Sequence, residues 1–471
     1  MKIAIIGAGS IVFCKTLILD ILATSDLSGV EFALMAPSTK RTKYVEEFTN
    51  KVIKENGLNA SCYITTDSSD ALKGAKYVIA TLQVGGIHAY EFDYKIPFKH
   101  GVDQCIGDTL GPGGIFRALR SIPVMDQLAA DMKEFCEPGA LLLNYVNPMS
   151  MVCLALSDSG INYVGLCHGV QTTLDLISGY TEVPKSEIDF LCAGINHMGW
   201  FLKLIHKGRD LYPVLRENFE KPEYYTNEKV RGEIFRQFGY FMTESTGHLS
   251  EYLPYFRKNP ETLNMYCDEP GFGGETGAYF KFSKYVGEKY NNSNMLANEP
   301  TTLPKRSVEY CSYIIEACET GKTFKFNGNI INNGMISNLP FSCCAEGPMY
   351  ADATGIHRTV VGNLPIQCAA LNMTNINVHL LTVEAAKTGD PELAVQACAI
   401  DPLTAASALS LNQIREMARE MFVELSEYMP QFKNKSLKET PYISVPNGII
   451  RAEVPTDPAL AINARFVELG K

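Results

Sequence analysis

No apolar segment in this chain reaches the roughly 20 residues that a membrane-spanning helix needs. No export leader is expected either. Met1–Gly7 is one lysine and a short apolar run leading straight into a glycine turn, with no small-residue cleavage site. Lysine and arginine form no cluster and the net charge is −10, which excludes the electrostatic footprint of a nucleic acid or anionic membrane partner. The 14 cysteines follow no disulfide framework, and Cys343 and Cys344 are adjacent. In a chain of 471 residues that pattern predicts reduced thiols and a cytoplasmic location. There is no internal repeat and no low-complexity tract. The remainder is ordinary globular composition, 46% hydrophobic and 20% charged, with length enough for two lobes.

The N-terminal lobe has the clearer pattern. Lys2–Ile6 is an almost unbroken apolar run followed by Gly7-Ala8-Gly9-Ser10 and a helical period from Phe13 to Leu22. Strand, glycine turn and helix open a dinucleotide-binding unit, because the glycines let the backbone approach a pyrophosphate and the helix start supplies amide donors. Val12 stands where the fingerprint has its third glycine. Val30–Met35 reads as the second strand, yet it is followed by Ala36 rather than the acidic residue that holds an adenosine ribose. Lys40 and Arg41 follow, so NADP stays open beside NAD. Tyr77–Thr81 and Leu141–Tyr145 read as further buried strands ending at Gln83-Val84-Gly85-Gly86 and at Asn147-Pro148. Gly7, Gly9, Ser10, Ile11 and Gln83 are the candidate cofactor contacts. The prediction is an α/β fold: a Rossmann-like parallel sheet over residues 1–195 and a mixed α/β lobe over 196–471, arranged as in lactate and malate dehydrogenases.

Cys167 and His197 each follow an apolar, strand-like run, Tyr163–Leu166 and Phe190–Ala193. Two strand ends can deliver a thiolate and an imidazole to one divalent metal. The alternative is a buried free cysteine and a core histidine. Asp108–Gly114 reads as a glycine loop, and the helix after it carries Arg117 and Arg120 one turn apart, suited either to a hydroxylated or anionic substrate or to an exposed face. In the second half, Val230–Phe241, Cys368–Lys387, Pro391–Ile400 and Leu411–Tyr428 read as helices. Asn327–Pro340 reads as strand–turn–strand, and Asn259–Thr302 as a polar excursion or oligomer contact.

Taken in order, Gly7–Ser10, Gly113–Arg120, Asn144–Met149, Cys167-His168-Gly169-Val170, Ile195-Asn196-His197, Asn338-Leu339-Pro340 and Asn375-Ile376-Asn377 resemble glycoside hydrolase family 4, over nearly the whole chain. Within it, the stretches Asp108–Gly114, Cys192–Met198 and Glu244–Phe256 are most similar to the α-galactosidase branch. The resemblance implies a redox-assisted elimination that departs from two-carboxylate glycosidases. NAD+ takes hydride from sugar C3, a divalent metal, typically Mn2+, steadies the enediolate, a base takes the C2 proton, the aglycone leaves, water adds and C3 is reduced again. By motif match it implies Cys167 and His197 as metal ligands, Asn147 on sugar hydroxyls and Tyr252 as base, with Tyr255 the neighbouring candidate. Arg117 is a further candidate for substrate contact. His168 stands where phospho-sugar members carry Asp, which implies an unphosphorylated α-galactoside and makes His168 a candidate acid or only a neighbour. A homodimer or homotetramer is expected. The alternatives are an α-glucosidase or α-uronidase of the same family, a 2-hydroxy acid dehydrogenase, and a non-enzymatic dinucleotide sensor.

Overall fold

The computed structural model describes residues 1–292, 294–455, 457–459, 462, 465 and 466. Six strands alternate with helices through the first 165 residues: β1 (Lys2–Ile6), β2 (Val30–Met35), β3 (Ala60–Thr65), β4 (Tyr77–Ala80), β5 (Leu141–Asn144) and β6 (Asn162–Gly165). They pair in the order 3-2-1-4-5-6, all parallel. That is the order of a dinucleotide-binding sheet, with its reversal between β1 and β4. β4 and β5 are buried along their whole length, as a sheet with helices on both faces requires.

The same sheet continues through the later strands, β7 (Asp189–Ile195), β8 (Met198–His206), β9 (Arg209–Asp210), β10 (Phe324–Ile331), β11 (Cys344–Asp352) and β12 (Gly355–Arg358). The order after β6 is β10-β11-β7-β8-β9, with β12 on β11, and every pairing is antiparallel. The expected mixed lobe is thus an antiparallel extension of one sheet. β10 and β11 pair along the full length of β10, but β6 meets β10 only at Gly165↔Asn329 and β11 meets β7 only at Glu346↔Gly194. Because Asn329 also faces Glu346, one row, Gly165–Asn329–Glu346–Gly194, crosses four strands.

Two local expectations are corrected. The second strand of the hairpin begins at Cys344, not within 327–340. Met335 and Ile336 are buried in the intervening loop, where the Asn332 side chain bonds Ile336 O, Leu339 O, Pro340 O and Ile336 N at 2.8–3.2 Å and satisfies the backbone that a strand would have paired. Gly111–Gly114 is likewise no loop, since the helix Gly111–Phe135 starts there. Its glycines serve close packing: a Cβ on Gly113 would lie 2.6 Å from Gly107 O, and one on Gly114 2.5 Å from the Thr109 carbonyl carbon. The polar stretch 259–302 contains the helices Pro260–Tyr266 and Ala278–Asn292. The helix Ile366–Thr388 spans the family-like Asn375–Asn377.

The chain divides into a unit of residues 1–437 and a second of 438–471. The described part of the second is mostly without regular structure and exposes Tyr442, Ile443, Val445 and Ile450.

Candidate functional site

The site is assembled around the row just described. Cys167 lies two residues beyond β6, and His197 is in the two-residue turn between β7 and β8, at a left-handed φ of 63°. Cys167 Sγ and His197 Nε2 are 3.4 Å apart, so the two positions singled out in the sequence do converge. Glu244 joins them. It too has a left-handed φ, 79°, and its Oε1 lies 3.7 Å from His197 Nε2. One ligand atom from each of Cys167, His197 and Glu244 lies within 4.8 Å of the other two. Soft sulfur, imidazole nitrogen and hard oxygen form a donor set suited to a divalent transition-metal ion. Gly169 makes the room, because a Cβ there would come 2.4 Å from Glu244 Oε1.

A ring of hydrogen bonds surrounds this cluster. His197 Nδ1 is 3.1 Å from the Tyr252 hydroxyl, which donates to Thr109 Oγ1 at 2.5 Å. Thr109 Oγ1 is 2.9 Å from His248 Nε2, and His248 Nδ1 lies 3.2 Å from Glu244 Oε2. The short helix Thr246–Tyr252 carries both His248 and Tyr252. Asn375 donates to Tyr252 O at 3.1 Å and Asn372 to Met198 O at 3.0 Å, so the helix Ile366–Thr388 fixes the backbone of both Tyr252 and the His197 turn.

Electrostatics divides the ring. Burial pulls His197 down to about 4, leaving its imidazole neutral as metal binding requires. Burial opposes the charge of His248, but the bond to Glu244 and its charge outweigh that and raise it to about 9. Burial opposes Glu244 as well, yet His197 and His248 hold it below the ordinary carboxylate range. Burial, with Glu244 and Glu346 nearby, pushes the Cys167 thiol well up. Burial also drives the Tyr252 phenol well above its ordinary value, offset only partly by Thr109.

On the parallel side, Gly7 needs its freedom: its φ is 95° and a Cβ would lie 2.5 Å from Leu82 N. At Gly9 a Cβ would meet nothing nearer than Ala36 Cβ at 4.0 Å, so the space above the turn is open. The helix Ile11–Leu22 starts beside it, and the Ser10 side chain makes no cap bond. An open cradle at a helix N-terminus fits a dinucleotide pyrophosphate. Gln83 is exposed and donates to Gly86 O at 3.1 Å, in the loop against which Gly7 packs. Ala36 is buried at the end of β2, where no carboxylate is available for a ribose.

The family comparison decides what this assembly belongs to. Residues 2–182 match the family model described as family 4 glycosyl hydrolase, and residues 192–404 match its C-terminal domain. The chain belongs to family 4 of the glycosyl hydrolases. It is 40% identical to an alpha-galactosidase of Rhizobium meliloti, covering 92% of this chain and 89% of that one. To an alpha-galactosidase of Bacillus subtilis it is 39% identical, over 92% of this chain and all of the other. Among solved structures, the 6-phospho-beta glucosidase of Thermotoga maritima, determined with manganese, NAD+ and glucose-6-phosphate, shares the fold. Its TM-score is 0.74 at 22% identity, covering 91% of this chain and 99% of that one.

For this family 4 chain the remaining candidates separate. Asn147, half-buried after β5, donates to Asp108 Oδ2 at 3.0 Å. Arg117 is buried, donates from Nε to Asn147 O at 3.4 Å and lies 5.4 Å over the Tyr90 ring. Arg120 is not available to substrate: fully buried, it pairs with both oxygens of Asp93. His168 is largely exposed at the start of the helix Gly169–Thr181 and is 2.9 Å from Glu309; that bond raises it above the usual imidazole range. Tyr255 is exposed and packs edge-on against Phe256. Sequence reasoning missed Glu244, His248, Asp108 and Thr109 as members of the site. Their signal was present in the glycine-rich stretch Asp108–Gly114 and in Glu244–Phe256, dense in ionisable and aromatic groups, but no spacing ties residues near 108 to residues near 248.

Proposed function

We propose that this chain is an α-galactosidase for unphosphorylated α-galactosides, using NAD and a manganese ion. The observation that carries the reading is the convergence of Cys167, His197 and Glu244 in a chain 40% identical to a relative named for that activity. These three residues would hold the ion, and Gly7, Gly9, Ser10 and Ile11 would hold the dinucleotide. When bound, NAD+ supplies reversible hydride transfer at sugar C3, and the divalent ion polarises the C2 and C3 oxygens, which together acidify the C2 proton.

The chain's own residues then have definite tasks. Tyr252, as a phenolate that has already released its own proton to solvent, takes the C2 proton and ends the step neutral. Its neutral hydroxyl donates to Thr109; as a phenolate it is placed to accept from His197 Nδ1–H and from Thr109, whose hydroxyl turns around while accepting from protonated His248. Two donors aimed at the phenolate oxygen oppose the effect of burial. Asn147 orients a sugar hydroxyl. His168, whose proton is favoured by its bond to Glu309, is the proposed proton donor to the leaving oxygen.

In this proposal residues 1–195 supply the cofactor turn and Cys167, and residues 196–471 supply His197, Glu244 and Tyr252. We also place the protein in the cytoplasm as a homodimer or homotetramer. All 14 cysteines are free, and among the described residues no helix is long and apolar enough to cross a membrane.

The test is hydrolysis of an α-galactoside with Mn2+ and NAD+ in D2O. Galactose should be released without net NADH and should carry deuterium at C2. Released sugar lacking C2 deuterium rules out the elimination, and stoichiometric NADH would identify a dehydrogenase instead.

A further inference from the structure

Among several buried polar atoms around the site that have no partner among the described residues, two belong to side chains held by Asn147. One is Asp108 Oδ1 and the other Arg117 Nη1. Asp108 is 3% exposed and Arg117 7%. An orphaned donor or acceptor in a core is costly, and in a binding site it marks where a ligand atom completes the bond. Both residues are already anchored by their other atoms. Asn147 donates to Asp108 Oδ2 at 3.0 Å, and Arg117 Nε donates to the backbone oxygen of that same Asn147 at 3.4 Å. The nearest cation to Asp108 Oδ1, His248 Nε2, is 3.7 Å away and engaged with Thr109. Tyr90 lies under the Arg117 guanidinium and meets Tyr279 edge-on at 5.9 Å, so the pair is backed by an aromatic wall.

We infer that Asp108 and Arg117 form a hydroxyl-reading subsite that selects a neutral glycone. This rests on the glycosidase reading and deepens it. A hydroxyl is both donor and acceptor, so one sugar hydroxyl can donate to Asp108 Oδ1 and accept from Arg117 Nη1 at once. The hydroxyl assigned to this subsite is the exocyclic one on C6, the position at which a uronide carries its carboxylate. A carboxylate in the same place would accept from Arg117 but would set its second oxygen against the Asp108 carboxyl. The subsite therefore discriminates against uronides, and it does so with a negative group rather than by lacking a positive one.

The experiment is equilibrium binding, by calorimetry, of galactose, its monodeoxy analogues and galacturonate to the Mn2+- and NAD+-loaded protein. It compares wild type, Asp108→Ala and Arg117→Met, with thermal denaturation as the folding control. In wild type one deoxy position should lose roughly 100-fold or more in affinity, because a buried polar pair is left unmatched. In Asp108→Ala and in Arg117→Met the penalty at that same position should shrink by about tenfold or more. Galacturonate should gain on galactose in Asp108→Ala alone. Arg117→Met keeps the aliphatic stem and carries the test if the other variant does not fold. If every deoxy penalty is unchanged in a folded variant, the subsite is overturned while the α-galactosidase reading stands. If wild type prefers galacturonate to galactose, both are overturned.

Discussion

On the parallel side of the sheet, four chemistry-bearing residues follow their own strands within three positions: Gly7 after β1, Gln83 after β4, Asn147 after β5 and Cys167 after β6. Asp108, Thr109 and Arg117 are the exception, coming from the start of the helix Gly111–Phe135 and the residues before it. On the antiparallel side only His197 does so. Glu244 and Tyr252 come from a segment outside every strand, positioned by Asn375 from a helix more than a hundred residues later. The difference follows from how each half is made. A parallel α/β unit presents its strand ends to a ligand as a property of the repeat. An antiparallel half has no such rule, and its groups converge only through tertiary contacts.

The comparison is tested most severely at Arg120, a long-range anchor inside the locally organised half. It ties the helix Gly111–Phe135 to Asp93 with both side chains fully buried and donates to Val84 O at 3.1 Å. Arg120→Ala should cost about 3–5 kcal/mol in urea unfolding, because Asp93 is left charged and unpaired in the core. A loss under about 1 kcal/mol, the range of an exposed pair, would show that the parallel half does not depend on this pair.

A smaller effect, dependent on pH, belongs to the other half. Burial holds His379, on the helix Ile366–Thr388, at about 4. The unfolded imidazole titrates near 6.5, so the unfolded chain binds the proton first and stability is complete above that pH. It should fall as the pH drops from about 6.5 towards 4, by about 3 kcal/mol across the window. Denaturation midpoints for His379→Gln should show a flatter acid limb; an unchanged slope would place the acid sensitivity elsewhere.

The mildest pair separates folding from binding within one turn. Gly7→Ala meets both a left-handed φ and the Leu82 backbone, and should lose about 1–3 kcal/mol of stability. Gly9→Ala meets only open space, and should stay within about 0.5 kcal/mol of wild type while NAD+ affinity, read by calorimetry, declines. Equal damage to stability from both would mean that Gly9 shapes the fold rather than the cradle.

Legibility in the sequence followed the same division. Apolar runs ending in glycine or Asn-Pro marked β1, β4 and β5 because a strand buried on both faces has to be apolar throughout. Cys167 and His197 were readable for the same reason. That β10 and β11 lie between their strands was not, since pairing across more than a hundred residues leaves no periodic trace. The Asn332 loop passed for a strand because its buried Met335 and Ile336 have a strand's hydrophobicity. The first-turn glycines of Gly111–Phe135 passed for a loop because close packing and turning call for the same residue. Arg117 and Arg120 look alike in sequence, and only Asp93 separates them.

The row Gly165–Asn329–Glu346–Gly194 has a mechanical side. In backbone pairing the β10–β11 hairpin meets each neighbour at a single residue pair, with one asparagine side chain added at each flank, so the sheet has two narrow seams, and the cluster sits at both. Cys167 belongs to one flank and His197 to the other. Whatever grips both side chains at once acts as a rivet across the seams, so that affinity for it and resistance to parting the two flanks are one quantity measured in two ways.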